Sequence, residues 1–190
     1  MNRANAIKDT GDLQKMVSYL KANKPKYYVI FLIALNSGLR ISDVLNLDIE
    51  DVEGKDIIEV HEKKTGKLKR FPINKTMQNV IKRYLVERKK QYYIGEGNAL
   101  FVGKKHKRID RSQSYRVFHN AAKVLGIKGT ISNHTPRKSF GYRHYHQYND
   151  IGLLQTILNH SSPSITLRYI DVTQEEVDNS YLNLDFGIEV

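Results

Sequence analysis

Five residues in this sequence carry side chains suited to handling a phosphodiester, and their spacing groups them. Arg40 follows Ser37-Gly38-Leu39, a glycine break closing an apolar stretch, and Asp43 lies three residues on. An arginine so placed projects from a rigid support, and the carboxylate one turn later can orient its guanidinium. His134 and Arg137 stand three apart in His134-Thr135-Pro136-Arg137. Proline is tolerated in the first turn of a helix, so both are expected at a helix start, whose positive end suits an anion. His160, in Asn159-His160-Ser161-Ser162, precedes Tyr169 by nine residues, so the two can converge across a turn. Singly, each has an ordinary explanation: a helix ion pair, a capping histidine, a tyrosine at a core edge. Together, two permanent cations, two imidazoles and a phenol can bind a phosphate, move protons and attack.

The charge balance names a matching partner. The 190 residues hold 31 Lys+Arg and 20 Asp+Glu, a net +11. Asp171 to Val190 contain six acids and no Lys or Arg, so residues 1–170 carry +17. A body so basic fits a polyanion. Lys63, Lys64, Lys67, Lys69 and Arg70 form one basic run; Lys104, Lys105, Lys107, Arg108 and Arg111 form another. Either can be a phosphate-contacting loop, though a solvated surface run looks the same. The absence of cysteine excludes disulfides and thiolate metal sites. The longest apolar stretch, Tyr27 to Leu35, is too short to cross a bilayer, and the polar start has no signal-peptide core. A cytoplasmic protein without membrane contact is expected.

These residues need elements to hold them. Leu13, Met16, Val17 and Leu20 follow helical spacing; Pro25 separates them from a second, nearly all-apolar helix ending at Ser37-Gly38. Ile57, Ile58 and Val60 lead through Thr65-Gly66 into Leu68, Arg70, Phe71 and Pro72, a β-hairpin with a basic turn. Met77, Val80, Ile81, Tyr84 and Leu85 form an amphipathic stripe, as do Val117, Phe118, Ala121, Ala122 and Leu125, the latter stopped by Gly126. Asp150 caps a helix over Ile151 to Leu158, and Ser162-Pro163 starts the helix leading to Tyr169. The expected fold is mainly α with one small antiparallel β-sheet. One domain is expected over residues 1–172, followed by an acidic tail or docking helix over 173–190.

In order, GLRISDVLNL, the lysine in EKKTGKLKRFPI, HTPRKSFGY and LNHSSPSITLRYI resemble the successive signature segments of the tyrosine recombinase, or phage-integrase, family. The resemblance covers about residues 10–172 and implies that family's catalytic-domain fold. It implies roles as well: Arg40 and Arg137 on the scissile phosphate, Lys64 on the hairpin, His134 and His160 completing the pocket, Tyr169 as nucleophile. Asp43 is expected behind Arg40. Lys63, Lys67, Lys69, Arg70, Lys104, Lys105, Lys107 and Arg108 are expected on the DNA. Asn159 replaces the family's usual glycine, but asparagine also accepts a left-handed helix exit. Lys138 and its neighbours depart from the family's HxLRHTF segment while His134 and Arg137 keep their places. Members often carry a separate amino-terminal DNA-clamping domain, for which these 190 residues have no room; the chain resembles either the short form of fimbrial phase-switch invertases or the isolated carboxy-terminal domain of a longer integrase.

The resemblance implies site-specific strand exchange through a 3′-phosphotyrosyl link, with neither metal, ATP nor other cofactor. No Walker-type loop is visible, and Arg143-His144-Tyr145-His146 is a weak zinc signal without thiolate or acid partners. Implied partners are double-stranded DNA, further copies of the chain as a tetramer on it, and an accessory DNA-bending protein. The apolar residues Val177, Tyr181, Leu182, Leu184 and Phe186 suit the tail to docking on a neighbouring subunit. Two other readings stay open: a type IB topoisomerase activity sharing this chemistry, and a DNA-binding regulator that kept the fold but lost catalysis.

Overall fold

The computed structural model describes residues 4–90, 97–103, 107–170, 172–185 and 187. Four helices come first: α1 (Thr10–Asn23), α2 (Pro25–Ser37), α3 (Ile41–Asn46) and α4 (Ile49–Val52). The hairpin β1 (Ile57–His61) and β2 (Leu68–Pro72) follows, then α5 (Lys75–Lys90), α6 (Arg111–Leu125), α7 (Thr135–Tyr148), α8 (Ile151–Leu158), α9 (Pro163–Tyr169) and α10 (Gln174–Leu182). The expected class, mainly helical with a small antiparallel sheet, is what the structure shows. Among the described residues no helix is long and apolar enough to cross a membrane.

The main core forms around α2, apolar nearly all round and therefore buried from Val29 to Ala34. Met16 and Leu20 of α1, Met77, Ile81 and Leu85 of α5, and Phe118, Ala121 and Ala122 of α6 pack into the same cluster. Phe31 meets Phe118 edge-on, ring centroids 5.3 Å apart. A second, smaller cluster holds Leu154, Leu158 and Ile170, with Phe140, Tyr145 and Tyr169 against it. The nucleophile candidate thus belongs to the smaller core.

Local signals end the helices where the sequence marks them. Asp150 accepts from the Leu153 amide and Ser162 from that of Ile165. Gly38, Gly126 and Asn159 each exit a helix at positive φ. In the hairpin, Glu59 pairs with Arg70 and Val60 with Lys69, so Lys69 shares a face with Phe71 rather than with Leu68 and Arg70.

Two arginines serve the scaffold. Arg88, buried on α5, donates to the Ala99 and Gly97 carbonyls. Arg108, expected on DNA, instead donates to the Asn46 and Leu47 carbonyls and pairs with Asp48 at 2.5 Å. These contacts fix the 107–109 segment to the α3–α4 corner.

Candidate active site

Glycine fixes the approach of α2 to α7 and α8. Gly38 has φ +62°, and a β-carbon there would lie 2.7 Å from the Phe140 ring and 3.3 Å from Leu158. Through this contact the end of α2 reaches Arg137 near the start of α7. Arg137 is 2% exposed; its Nη1 donates to the Gly38 carbonyl at 2.5 Å and its Nη2 to the Leu158 carbonyl at 2.7 Å. One guanidinium therefore joins the ends of α2 and α8. Burial pushes its pKa down, Tyr169 pushes it up, and Arg40 and Glu62 add opposing smaller effects.

Arg40 caps α3 with extended backbone, φ −68° and ψ 144°. Its Nη1 lies 2.7 Å from Glu62 Oε1, and Arg137 Nη1 lies 3.6 Å from the same oxygen. Glu62 is fully buried, and its Oε2 accepts from Thr65 Oγ1 at 2.9 Å and Asn159 Nδ2 at 3.1 Å. Burial raises the pKa of this carboxyl, but the bonds from Arg40, Thr65 and Asn159 outweigh it and hold the group below its ordinary value. A single anion thus gathers both arginines, the hairpin turn and the helix exit before His160. Sequence reasoning missed Glu62. The available signal was one acid inside the run His61-Glu62-Lys63-Lys64-Thr65-Gly66-Lys67.

Asp43 does not orient Arg40 with its side chain. Its Oδ1 accepts from the Lys63 amide at 3.1 Å and so anchors the end of β1. Arg40 precedes α3 in extended backbone, so the three-residue spacing does not put the two side chains on one helical face.

His134 is the N-cap of α7, exposed at the rim. Partial burial, then Arg111, Arg137, Arg40 and Lys138, lower its pKa and favour the neutral ring. His160 Nδ1 lies 3.0 Å from the buried Thr166 hydroxyl. Burial, then Arg137 and Arg40, push its pKa down to about 4 against the opposing pull of Glu62. Its ring meets Tyr169 edge-on, centroids 5.1 Å apart. The Arg137 guanidinium carbon sits 5.9 Å from the Tyr169 ring centre, and the Tyr169 hydroxyl is withdrawn from solvent.

Five of the six expected catalytic residues therefore share one locus; Lys64 is the exception. Lys64 sits in the exposed hairpin turn beside Gly66, whose φ of +67° closes the loop. Lys69, expected as a surface contact to DNA, is only 5% exposed. Its amine has no hydrogen-bond partner among the described residues. Burial, then Arg137, lower its pKa to about 7, with Glu62 and Asp43 pulling the other way and Arg40 adding to the fall. Strand alternation was the missed signal, since Lys69 points to the same side as Phe71. Lys63, Lys67, Arg70 and Lys107 are exposed, Arg70 within 3.4 Å of Glu59; Lys104 and Lys105 lie outside the described residues.

The model of the phage integrase family matches residues 9–176, a span holding every site residue above. This chain belongs to that family. Among curated proteins, it is 36% identical over 181 residues to the "Probable integrase/recombinase YoeC" of Bacillus subtilis (strain 168), covering 95% of the chain and 97% of that protein. It is 28% identical over 170 residues to "Tyrosine recombinase XerA" of Pyrococcus furiosus (strain ATCC 43587 / DSM 3638 / JCM 8422 / Vc1), covering 87% of the chain but 57% of that protein. The chain thus spans 57% of the length of that XerA. A solved relative in fold is the XerH site-specific recombinase bound to palindromic difH substrate in a post-cleavage complex. It aligns with TM-score 0.77 and 18% identity over 95% of the present chain and 54% of its own.

The acidic segment forms α10, with a capping box between Thr173 and Glu176. Glu176 Oε1 lies 3.3 Å from His146 Nε2, which brings the start of α10 to α7. No residue of α10 is buried, and Tyr181 and Leu182 are 75% and 81% exposed. Phe186 lies outside the described residues.

Proposed function

We propose that this chain is a site-specific DNA recombinase that breaks and rejoins strands through Tyr169. The observation that carries this reading is the meeting of Arg40, Arg137, His160 and Tyr169 around the buried Glu62 carboxylate. Arg40 and Arg137 pair with the non-bridging oxygens of the scissile phosphate and stabilise charge in the pentavalent transition state. A free tyrosine has a pKa near 10, so attack at neutral pH needs a proton acceptor. His134, neutral at the rim, takes the Tyr169 proton as the phenol oxygen bonds to phosphorus. His160 donates a hydrogen bond to the phosphate. The bond to the 5′ oxygen breaks, and Lys64 protonates that oxygen as it leaves. The 3′-phosphotyrosyl link keeps the diester's bond energy, so a 5′ hydroxyl from another strand reverses the step without ATP or a metal.

The hairpin turn delivers Lys64 together with Lys63 and Lys67, exposed and free to follow the backbone of bound DNA; Arg70 and Lys107 extend the basic surface. The exposed apolar side chains of α10 dock on a neighbouring copy and link cleavage to a tetramer on DNA. Truncation after Asp171 then abolishes DNA-dependent assembly; unchanged assembly refutes that part.

The decisive test is a nicked suicide substrate bearing the gene's flanking repeats. An SDS-resistant adduct that disappears in Tyr169→Phe is the expected result. Binding without an adduct favours a silent regulator, and supercoil relaxation without site preference favours a type IB topoisomerase.

A further inference from the structure

Lys138 follows Arg137 on α7 and departs from the family's usual segment, yet it is only 2% exposed. Burying an ammonium costs several kilocalories unless its charge finds use nearby, so an apolar residue would be the simpler occupant. Its Nζ donates to the Ala4 carbonyl at 2.9 Å and lies 5.5 Å from the centre of the Tyr169 ring. The carbonyl is itself held in place. Asn5 exchanges hydrogen bonds with Thr130, amide to carbonyl at 2.9 Å and amide to side chain at 2.8 Å. The Ile7 amide donates to Ser139 Oγ at 2.8 Å, and the Ile7 side chain is buried. Residues 4–7 thus form a strap along α7, whose main chain aims one ammonium at the face of one phenol.

We propose that Lys138 is a positioning residue for the nucleophile, its ammonium held over Tyr169 by the Ala4 carbonyl so that the ring keeps its orientation and the phenolate is favoured. This rests on Tyr169 being the attacking group. Face-on, a cation is attracted by the ring's quadrupole, and it is attracted more strongly once the oxygen is negative. Among the described residues, the charged groups facing Tyr169 are Arg137 and Lys138 from α7; from the turn between α8 and α9 comes His160, neutral above about pH 4. Arg168 precedes it on α9 and is exposed, while Arg40, Glu62 and Lys69 stand behind Arg137. Two cations of α7 thus lie over the phenol ring, and Lys138 is the one that does not compete for the phosphate.

The test uses the full chain labelled with 13Cζ-tyrosine, the Tyr169 signal being assigned by its loss in Tyr169→Phe. Lys138→Met keeps the length and removes the charge; Lys138→Arg keeps the charge. The expected result is a Tyr169 ionisation midpoint about one pH unit higher in Lys138→Met than in the parent, with Lys138→Arg close to the parent. In parallel, single-turnover cleavage by Lys138→Met falls about tenfold at neutral pH with DNA affinity unchanged, and the deficit closes as pH rises through the midpoint. A midpoint that stays within about 0.3 pH units in Lys138→Met overturns the proposal, whatever happens to the rate. If the midpoint moves but the parent forms no adduct, the positioning role stands and the strand-cleavage reading falls.

Discussion

Glutamine at position 62 keeps the shape of the buried carboxylate and removes its charge. In the native chain one oxygen sits 2.7 Å from Arg40 and the other accepts from Thr65 and Asn159. Glutamine has one carbonyl oxygen, enough to serve Thr65 and Asn159, and its amide then presents N–H groups to a guanidinium that has only donors. Removing one member of a buried ion pair costs about 3–5 kcal/mol, because the partner's charge is left uncompensated. The lower end applies here, since the Arg40 side chain keeps 17% exposure and reaches water. About 3 kcal/mol in a chain of this size is a fall of roughly 6–12 °C in Tm. The pH dependence has a definite sign. The folded pKa of Glu62 is depressed, so its stabilisation is complete above the unfolded carboxyl value and disappears as pH falls through the folded one. Thermal melts followed by circular dichroism at pH 7, and stepwise below about pH 4.5, measure both features. A Tm within about 2 °C of the parent at pH 7, or a difference that persists at the acid end, refutes the claim that Glu62 ties the site together.

Lys69 makes an opposite prediction: its folded pKa of about 7 lies below the unfolded 10.5, so the chain gains stability as pH rises between those values. Lys69→Met should stabilise by up to about 4 kcal/mol at pH 7 and by progressively less toward pH 10.5 in urea titrations; equal effects at both ends contradict this. His160, at about 4, should titrate by NMR well below the free imidazole value of about 6.5, and His160→Gln should flatten the rise in stability between pH 4 and 6.5. Gly38→Ala forces a left-handed backbone and a contact of 2.7 Å with Phe140, a cost of about 3 kcal/mol in a denaturant melt, with loss of adduct as the Gly38 carbonyl leaves Arg137.

Much of the fold was legible because its punctuation is local. Asp150, Ser162-Pro163, Gly126 and Asn159 act within a turn of themselves, and the sequence states them directly. The Arg40, Arg137, His160 and Tyr169 grouping was legible through motif order. The partners of these residues were not, because partnership depends on where distant segments meet. Asp43 has a helical spacing from Arg40, but Arg40 lies outside the helix and finds Glu62 twenty-two residues away instead. Lys69 and Arg108 were read as surface charge from composition. One is drawn inside by the two-residue alternation of β2, and the other is held by the carbonyls at the end of α3. Lys138, one of the residues beside Arg137 that depart from the family's segment, is buried against Tyr169.

The division of the hydrophobic interior into a large cluster and a small one separates two mechanical tasks. Arg40 and Glu62 are mounted on segments rooted in the large cluster, whereas Tyr169 rides on a helix of seven residues whose fully buried apolar company is Leu154, Leu158 and Ile170. Segments with few buried apolar contacts open at lower free energy than the elements they adjoin. Amide exchange in α9 should therefore outpace that in α2, and Tyr169 can be advanced or withdrawn while the Arg40–Glu62 pair keeps its shape. Under the strand-cleavage reading proposed above, loosening one short helix times the cut without dismantling the pocket that holds the phosphate for rejoining.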